Sequence, residues 1–528
     1  MRDFQLPGRS PVHATEGMAA TSHPLATLAA VDMLRAGGNA MDAAIAAAAV
    51  QAVVEPQSTG IGGDCFVLYA PAGRGEVIAY NGSGRAPKAA ETDWYLERGF
   101  AEIPLNSAHA VTVPGAIEAW DRLAADHGRK GLDALLQAAI RYAENGYVVH
   151  GRVASDWAAC VDLLRRDAAA ARIFLPGGGA PKAGSLHRQP ELAATLKTIA
   201  RQGRAGFYEG AVAEDIVGYL RQQGGLHEPD DFAEARGEYV QPIGTAYRGV
   251  DIYQIPPNNQ GITALIMLNI LSGFDLARLD PCGAERLHLE VEAARLAFRD
   301  RDALVADPRQ AEVPVARLLS ADYAAALRRR IDPDRAATDL PPALLRRSDT
   351  VYLCVVDRDR NAVSFINSIY HSFGSGLVSP RTGVVLQNRG AGFRVDAAHP
   401  NRIAPGRRPL HTIMPGLAVK DGRAAMPFGV MGGDYQPFGH VHFLTNVLDF
   451  GCDLQEALDL PRVFYDRGVL EVERGVGAEA VSGLIARGHR VVVAAEPLGG
   501  GQAISIDWET GVLTGGSDPR KDGCALGY

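Results

Sequence analysis

Hydrophobic positions near the start of the chain predict two helices in succession. Apolar residues recur at helical spacing over residues 25–34, with Ser22 as a candidate N-cap before them and Gly37 after them. An alanine-rich run follows Asn39, whose side chain can form a capping box with Asp42 three positions later. Because alanine covers every face of this second helix, we expect it to be buried between other elements.

Further along the chain the pattern alternates between extended and helical periods. Residues 65–70 are an apolar run that is predicted to be a buried strand, and residues 249–256 are predicted to be a strand that ends at Pro256-Pro257. A long amphipathic helix is predicted over 285–300, with apolar residues on one face. Its charged residues, which include Glu292 and Arg295, are expected to face solvent.

The pattern changes after a polar, proline-containing segment over residues 333–347, which is predicted to be a surface linker. Two apolar runs, 350–356 and 362–368, follow it and are separated by a short polar turn. A turn centred between them makes the runs a hairpin and places Thr350 opposite Ser368.

Composition narrows the class of protein. Of the 528 residues, 47% are hydrophobic and 22% are charged, which is typical of a globular protein. The net charge of -8 gives no electrostatic attraction to nucleic acid or to an anionic membrane. Six cysteines show no CxxC spacing, which suits a reducing compartment. The N-terminus lacks the apolar segment of a signal peptide, and no apolar run reaches the about 20 residues of a membrane span. We therefore expect a cytoplasmic protein.

The junction between Asp349 and Thr350 is the first candidate for chemistry. Here a polar linker runs directly into a hydrophobic strand whose first residue is a threonine. A threonine hydroxyl is a weak nucleophile unless a base lies beside it, and cleavage of the preceding peptide bond would supply one as the threonine's own α-amine. The alternative is that Thr350 only begins a strand, which threonine favours in any protein.

Several short segments, in order along the chain, carry a more specific signal. They are Gly37-Gly-Asn-Ala-Met-Asp-Ala43, Glu55-Pro-Gln-Ser-Thr-Gly-Ile-Gly-Gly63, Val113-Pro-Gly115, Phe373-Gly-Ser-Gly376, Met431-Gly-Gly433 and Ala457-Leu-Asp-Leu-Pro-Arg462. Together with the predicted hairpin segments, Thr350 to Asp357 and Asn361-Ala-Val-Ser364, they resemble the γ-glutamyltransferases, which are N-terminal-nucleophile hydrolases made as one chain and self-cleaved. The resemblance implies an α+β fold, the αββα four-layer sandwich, formed as one intertwined unit. It also implies cleavage into a large segment, 1–349, and a small segment, 350–528.

The same resemblance assigns the catalytic roles. Thr350 is implied to be both the autoprocessing residue and the nucleophile that forms an acyl-enzyme, with Ser368 holding it by a hydrogen bond. Gly432 and Gly433 match the diglycine whose N–H groups stabilise the oxyanion. No cofactor or metal is implied, and the histidines show no HExxH spacing. The expected partners are a small-molecule amide and the two cleavage fragments, held as a heterodimer, with further dimerisation left open.

The chain departs from the family where the γ-glutamyl group should bind. Gly392 stands in place of the aspartate that binds the α-amine, and Arg389 replaces a glutamine. An arginine repels an ammonium and attracts a carboxylate. The candidate substrate-binding residues are Arg389, His411, Thr412, Tyr370 and Arg85.

Three functions are therefore considered. The first is hydrolysis or transfer of a γ-glutamyl-type amide of the glutathione class, through an acyl-enzyme on Thr350. The second is cleavage of an amide whose acyl group carries a carboxylate but no amine, as in the cephalosporin-acylase and oxamate-amidohydrolase relatives of this family. The third, from another class, is an unprocessed binding protein on the same fold. The sequence shows no acceptor site, so hydrolysis is the default reaction.

Overall fold

The structure is a computed structural model that describes residue 5 and residues 8–340 and 350–528. The N-terminal residues used to judge a signal peptide, the predicted linker from residue 341 onward, and Asp349 of the predicted cleavage junction lie outside the described residues.

Strands over the described residues are, in chain order, β1 Val12–Ala14, β2 Met18–Thr21, β3 Asp64–Ala70, β4 Ile78–Gly82, β5 Tyr147–Val148, β6 Leu186–His187, β7 Glu238–Val240, β8 Ile243–Tyr247, β9 Val250–Gln254, β10 Val351–Val356, β11 Ala362–Ser368, β12 Gly416–Lys420, β13 Arg423–Met431, β14 Val463–Asp466, β15 Val469–Val472, β16 Val491–Val493, β17 Gly500–Ile506, β18 Leu513–Ser517 and β19 Cys524–Gly527.

Helices over the same residues are α1 Pro24–Arg35, α2 Ala40–Val54, α3 Thr92–Glu97, α4 Ala116–His127, α5 Leu132–Leu135, α6 Gln137–Asn145, α7 Gly151–Ala158, α8 Val161–Leu164, α9 Ala168–Phe174, α10 Pro190–Gln202, α11 Ala205–Tyr208, α12 Gly210–Gln222, α13 Pro229–Ala233, α14 Gly261–Leu271, α15 Ala284–Leu304, α16 Val315–Leu318, α17 Ala321–Arg328, α18 Gln436–Leu448, α19 Leu454–Asp459 and α20 Ala478–Ala486.

Two seven-stranded sheets form the centre of the molecule. Their strand orders are β1-β18-β17-β13-β12-β9-β8 and β19-β2-β10-β11-β3-β4-β7. Each sheet therefore combines strands from before and after residue 350. The sheets face each other across a layer of buried side chains that includes Phe66, Tyr352, Ile366, Met431 and Ile504. Such face-to-face packing buries the inner face of both sheets.

Helices cover the two outer faces. Helices α1 and α2 share a core with strands β3, β10 and β11 of one sheet. Helices α14, α15, α18 and α20 share a second core with β9, β12 and β13 of the other. The order of layers is helix, sheet, sheet, helix, so the predicted αββα sandwich is confirmed.

The helix predictions near the start of the chain are confirmed in outline and wrong at one cap. Asn39 and Asp42 form the predicted capping box, and every residue of α2 is buried. The N-cap of α1, however, is His23, whose Nδ1 accepts the Leu25 N–H at 3.2 Å. Ser22 instead donates its hydroxyl proton to buried Glu55, at 2.6 Å. Because Ser22 hydrogen-bonds to Glu55, which is distant in the sequence, it does not cap α1.

The predicted solvent face of the long helix is also wrong. Helix α15 buries Glu292 and Arg295, and their side chains form an ion pair with a 2.7 Å N–O distance. One turn earlier, Arg286 and Glu290 form a second buried pair at 2.9 Å. The helix lies between α14 and α20, so both its faces meet protein. Buried charges of this kind persist only when paired.

The hairpin register agrees with the prediction. Strands β10 and β11 are antiparallel, with Val356 opposite Ala362 and Val351 opposite Asn367. The same register brings Thr350 to the level of Ser368 at the end of β11. Ser368 is also paired with Asp64, the first residue of β3. Strands β3, β10 and β11 therefore meet at the start of β10.

Candidate active site

Thr350 lies buried at the start of β10, with its hydroxyl against that of Ser368. The two oxygens, Oγ1 and Oγ, are 3.1 Å apart, and Ser368 Oγ also accepts the N–H of Tyr370 at 2.9 Å. Close approach of β3 requires glycine at Gly63, because a Cβ there would lie 2.2 Å from the Ser368 carbonyl oxygen. The hydroxyl of Thr350 is therefore held in place by the end of one strand.

The diglycine ends β13 and turns the chain into α18. Gly432 and Gly433 have φ values of 128° and 61°, a region that side-chain-bearing residues rarely adopt. Gln260 donates from Nε2 to the Gly433 carbonyl at 3.1 Å, and Arg301 donates to Gln260 Oε1 at 2.7 Å and to Asp434 at 2.5 Å. This buried network fixes the turn whose N–H groups are candidates for the oxyanion site.

Arg389 is a fully buried cation with incomplete pairing. Its Nη1 donates to Thr412 Oγ1 at 2.6 Å, and its guanidinium carbon lies 3.9 Å from the centre of the Tyr370 ring. Among the described residues, Nε and Nη2 have no hydrogen-bond partner. Burial lowers the pKa of Arg389 to about 10, against opposing contributions from Tyr370, Asp64 and Asp434. Buried donors without partners are rare in folded proteins and are expected where a ligand supplies the acceptor.

His411 is a neutral, buried histidine that holds a carboxylate. Its Nε2 lies 2.9 Å from Asp64 Oδ2, and its Nδ1 accepts the Ile413 N–H at 3.4 Å. Burial, followed by the charge of Arg389, lowers the pKa of His411 to about 3. The ring therefore carries its proton on Nε2 and donates it to Asp64. The other donors to Asp64 are Gly84 N, Gly115 N and Gln387 Nε2.

A continuous series of contacts joins most of the predicted site residues. Thr350 contacts Ser368, which binds Tyr370, whose ring packs on Arg389, which in turn binds Thr412. Gln260 extends the series, because its Nε2 donates to the carbonyls of both Thr412, at 2.6 Å, and Gly433. These contacts connect the nucleophile candidate, Arg389 and the diglycine.

Arg85 is placed elsewhere. Its Nη1 donates to the Gly406 carbonyl at 3.0 Å, and its guanidinium lies 3.6 Å from Asp307 and 3.7 Å from Glu238. Its side chain is 25% exposed. None of these contacts reaches Arg389, so the structure assigns Arg85 to a separate polar cluster.

Sequence reasoning missed four residues of this site. Asp64, Gln260, Arg301 and Asp434 are all buried, and none belongs to a recognisable short motif. Two of them stand directly beside glycine segments of the family pattern, Asp64 after Gly63 and Asp434 after the diglycine. Their position next to these glycines was the sequence feature that could have indicated Asp64 and Asp434 as site residues. Nothing in the sequence indicated Gln260 or Arg301.

One cluster in the described part of the chain has the composition of a metal site. It consists of His288, Glu292 and His489, all buried. His288 Nδ1 lies 2.8 Å from His489 Nε2, and its Nε2 lies 2.8 Å from the Asp332 carbonyl, while Glu292 is paired with Arg295. These groups satisfy one another by hydrogen bonds, so the arrangement does not call for an ion.

Within the described ranges, no helix combines the length and the apolar character needed to cross a membrane.

Comparison with known proteins gives one consistent answer. The family model described as gamma-glutamyltranspeptidase matches residues 26–528. The glutathione hydrolase-like YwrD proenzyme of Bacillus subtilis is 40% identical, over 98% of this chain and 99% of its own. The oxamate amidohydrolase proenzyme of Klebsiella pneumoniae is 37% identical over the same shares. The crystal structure of cephalosporin acylase from Bacillus halodurans superposes with a TM-score of 0.94 at 41% identity, covering 100% of this chain and 99% of that one. The chain therefore belongs to the γ-glutamyltranspeptidase family and is a γ-glutamyltransferase-like hydrolase made as a proenzyme that is cleaved into two associated parts.

Proposed function

We propose that this chain is a threonine amidohydrolase that cleaves itself between Asp349 and Thr350, and that its acyl substrate carries a carboxylate but no α-ammonium. The observation that carries the substrate assignment is Arg389, a buried guanidinium within the Thr350 site whose Nε and Nη2 find no acceptor among the described residues. A carboxylate fits this fork in bidentate fashion.

The reaction follows from the groups around Thr350. Self-cleavage leaves residues 350–528 with a free α-amine on Thr350, which accepts the proton of its own hydroxyl as Oγ1 attacks the amide carbonyl. The oxyanion that forms is stabilised by N–H groups of the Gly432–Gly433 turn, and each such donor contributes about 3 kcal/mol. The carbon–nitrogen bond then breaks as the α-ammonium returns its proton to the leaving nitrogen. Water hydrolyses the acyl ester by the same route in reverse.

Among the residues that the structure describes, the acyl pocket offers no available carboxylate to an ammonium. Gly392 has no side chain, and a Cβ there would lie 3.3 Å from the Leu410 carbonyl oxygen, which is a tight contact. The two nearby acids are already engaged, Asp64 by four donors and Asp434 by Arg301. An ammonium on the same carbon as the bound carboxylate would face Arg389 without compensation, and like charges in such a site are unfavourable.

The γ-glutamyl group is the second candidate. It carries the same carboxylate, so Arg389 would bind that part of it equally well. Similarity alone does not separate the two substrates, because the relatives named as glutathione hydrolase-like and as oxamate amidohydrolase are nearly equally identical to this chain. The ammonium is the distinguishing group.

The compartment we propose is the cytoplasm. All six cysteines are free thiols, and Cys65, Cys160 and Cys354 are buried. Structural thiols of this kind suit a reducing environment.

A matched pair of substrates tests the proposal. Glutaryl-4-nitroanilide and γ-glutamyl-4-nitroanilide differ only in the α-ammonium, and both release a coloured aniline. We expect the purified protein to give two fragments that meet at Asp349–Thr350 in a denaturing mass measurement. We expect kcat/KM for the glutaryl compound to exceed that for the γ-glutamyl compound by about tenfold or more. A preference for γ-glutamyl would establish the second candidate, and an uncut, inactive chain would overturn the mechanism.

A further inference from the structure

The candidate oxyanion turn consists of two glycines and has no side chain of its own to hold it. We propose that Gln260, which lies far away in the sequence, is the positioning residue of this turn, because its side-chain amide fixes the direction of the peptide groups around Gly433 and ties them to the residues that bind the acyl carboxylate. This inference rests on the proposed function, in which N–H groups of the turn stabilise the oxyanion.

The direction of the Gly433 N–H depends on the two peptide groups that flank this residue. A peptide group is planar and trans, so its N–H points away from its own carbonyl. The Gly432 carbonyl accepts the N–H of Tyr435 at 3.1 Å, which directs the Gly433 N–H to the opposite side. The Gly433 carbonyl accepts Gln260 Nε2, also at 3.1 Å, which fixes the following peptide group. The two hydrogen bonds together determine the backbone conformation of Gly433.

Glycine does not maintain such a conformation by itself. Gly432 and Gly433 have φ values of 128° and 61°, and without a Cβ each has access to a wide range of other backbone angles. An oxyanion donor is effective when it points at the oxyanion position before the reaction, so that no reorganisation is needed. The contacts from outside the turn therefore supply the order that the two glycines lack.

Gln260 is itself held firmly. It is fully buried at the N-cap position of α14, and its backbone N–H donates to the His411 carbonyl at 2.9 Å. Arg301 Nη1 donates to Gln260 Oε1 at 2.7 Å and to Asp434 Oδ1 at 2.5 Å. Because a guanidinium only donates, Oε1 must face Arg301, and both Nε2 hydrogens must face the other way. The orientation of the amide is thus determined by its partners.

The same amide joins the turn to the proposed carboxylate site. Gln260 Nε2 also donates to the Thr412 carbonyl at 2.6 Å, and Thr412 Oγ1 accepts Arg389 Nη1 at 2.6 Å. The group that binds one end of the acyl chain and the turn that binds its carbonyl oxygen are therefore connected through a single NH2 group. Fixing both ends of the acyl group in this way places the carbonyl carbon for attack.

Gln260→Glu is the sharpest change that the site offers. It keeps the size and shape of the side chain, and Arg301 keeps the new carboxylate ionised. The carboxylate oxygen that replaces Nε2 cannot donate, and it repels the Thr412 and Gly433 carbonyl oxygens that it faces. The peptide group after Gly433 should then rotate away, although no residue that contacts the substrate has been changed.

The test measures hydrolysis of glutaryl-4-nitroanilide and inhibition by two compounds. In 4-boronobutanoic acid a boron replaces the glutaryl carbonyl carbon. Thr350 Oγ1 adds to the boron and its proton passes to the α-amine, so the boron becomes tetrahedral and negatively charged with an oxygen at the oxyanion position. Glutarate copies only the acyl chain. We expect Gln260→Glu to lower kcat and to weaken inhibition by the boronic acid, each by about 10²-fold, while KM and the Ki of glutarate stay within about threefold.

The matched control is Gln189→Glu. Gln189 is likewise a buried glutamine at a helix N-cap, that of α10, and its Nε2 donates to the Val53 carbonyl of α2 at 2.7 Å. This variant undergoes the same chemical change away from the turn, so it should keep kcat and both Ki values within about twofold of the wild type. An equal loss of kcat in the two variants, or a loss in Gln260→Glu that weakens glutarate as much as the boronic acid, would reduce Gln260 to a structural residue and overturn the proposal.

A crystal structure of the processed wild type with 4-boronobutanoic acid applies even where Gln260→Glu fails to fold. We expect one boron-bound oxygen within hydrogen-bond distance of the Gly433 nitrogen, with Gln260 Nε2 still on the Gly433 carbonyl. A boron oxygen bound away from the turn, or wild-type kinetics in Gln260→Glu, would overturn the role of Gln260 and leave the hydrolase intact. Failure of the processed wild type to cleave any glutaryl or γ-glutamyl anilide would instead overturn the proposed function.

Discussion

The proposed acyl-transfer centre and the proposed acyl-binding wall are connected by side-chain contacts but are constructed differently. The centre consists of Thr350, Ser368 and the Gly432–Gly433 turn, and its geometry comes from a hairpin register and from backbone conformations. The wall consists of Arg389 with its neighbours Tyr370, Thr412 and His411, and its geometry comes from side chains in separate loops.

This difference separates chemistry from selectivity. Backbone N–H groups and a strand-end hydroxyl act on any amide carbonyl, so the centre places few demands on the acyl group. We propose that the wall recognises charge, so that a change of one side chain, such as those at Gly392 and Arg389, would alter what it accepts. Variants in the two regions should therefore fail in different ways.

The largest effect is expected at the centre. Thr350→Ala removes both the nucleophile and the residue that drives self-cleavage, so the chain should remain a single species of 56.1 kDa. Turnover should fall by about 10⁴-fold or more, as for loss of a catalytic nucleophile in other acyl-transfer enzymes. Denaturing mass measurement and the glutaryl-4-nitroanilide assay report the two effects. The control is Thr198→Ala on α10, where the hydroxyl bonds only to the Ala194 carbonyl of its own helix; this variant should be cut and active. A cleaved or active Thr350→Ala protein would contradict the mechanism.

A smaller and more selective loss is expected at the wall. Arg389→Met should still be processed, because the contacts of the Arg389 side chain among the described residues are with Thr412 and Tyr370 and not with Thr350. Its kcat/KM for glutaryl-4-nitroanilide should fall by about 10²–10³-fold, mainly through KM, since a buried charge-assisted contact is lost. The free energy of unfolding should not fall, because the wild type buries this cation without a paired carboxylate among the described residues.

The control for that variant lies close by in the sequence. Arg394 is exposed, and Arg394→Met should leave both kcat/KM and stability near the wild-type values. If Arg389→Met retains kcat/KM within about twofold, the carboxylate is bound elsewhere, and the distinction between centre and wall loses its basis.

The same division explains what the sequence could predict. Strand runs of matching length around a short turn define the β10–β11 pairing, and the alanine content with the Asn39–Asp42 box defines α2, so both were predictable from local pattern. The burial of Glu292 and Arg295 was not, because it depends on α14 and α20, which pack on α15 from distant parts of the chain.

The wall was harder to predict than the centre for a related reason. Gln260 matters because its side chain reaches Thr412 and Gly433 across more than 150 residues of sequence. Arg85 was included for its closeness to a family position in the sequence, but its side chain turns toward Glu238 and Asp307. The direction of a side chain in a loop depends on its tertiary partners, and residue identity alone does not contain that information.

The smallest expected effect concerns stability and pH at the wall. His411 is neutral in the folded protein because burial lowers its pKa to about 3 from its ordinary value of 6.5. Below pH 6.5 the unfolded chain binds a proton at this residue that the folded chain does not, so stability falls as pH drops through the interval from 6.5 toward 3. For this one group the loss between pH 7.5 and pH 5 is about 2 kcal/mol.

His411→Gln isolates that contribution. A glutamine amide can keep the hydrogen bond to Asp64 that Nε2 makes, but it does not titrate. Between pH 7.5 and pH 5 the variant should therefore lose less stability than the wild type, by about 2 kcal/mol in urea unfolding. His13→Gln is the control, because His13 is exposed on β1 and lies outside the wall. If all three proteins show the same pH dependence, His411 is protonated in the folded state. The positive charge of His411 would then lie beside Arg389, so the wall would hold two cations instead of one. Two cations would attract a carboxylate more strongly, and the attraction would weaken at the pH where His411 loses its proton.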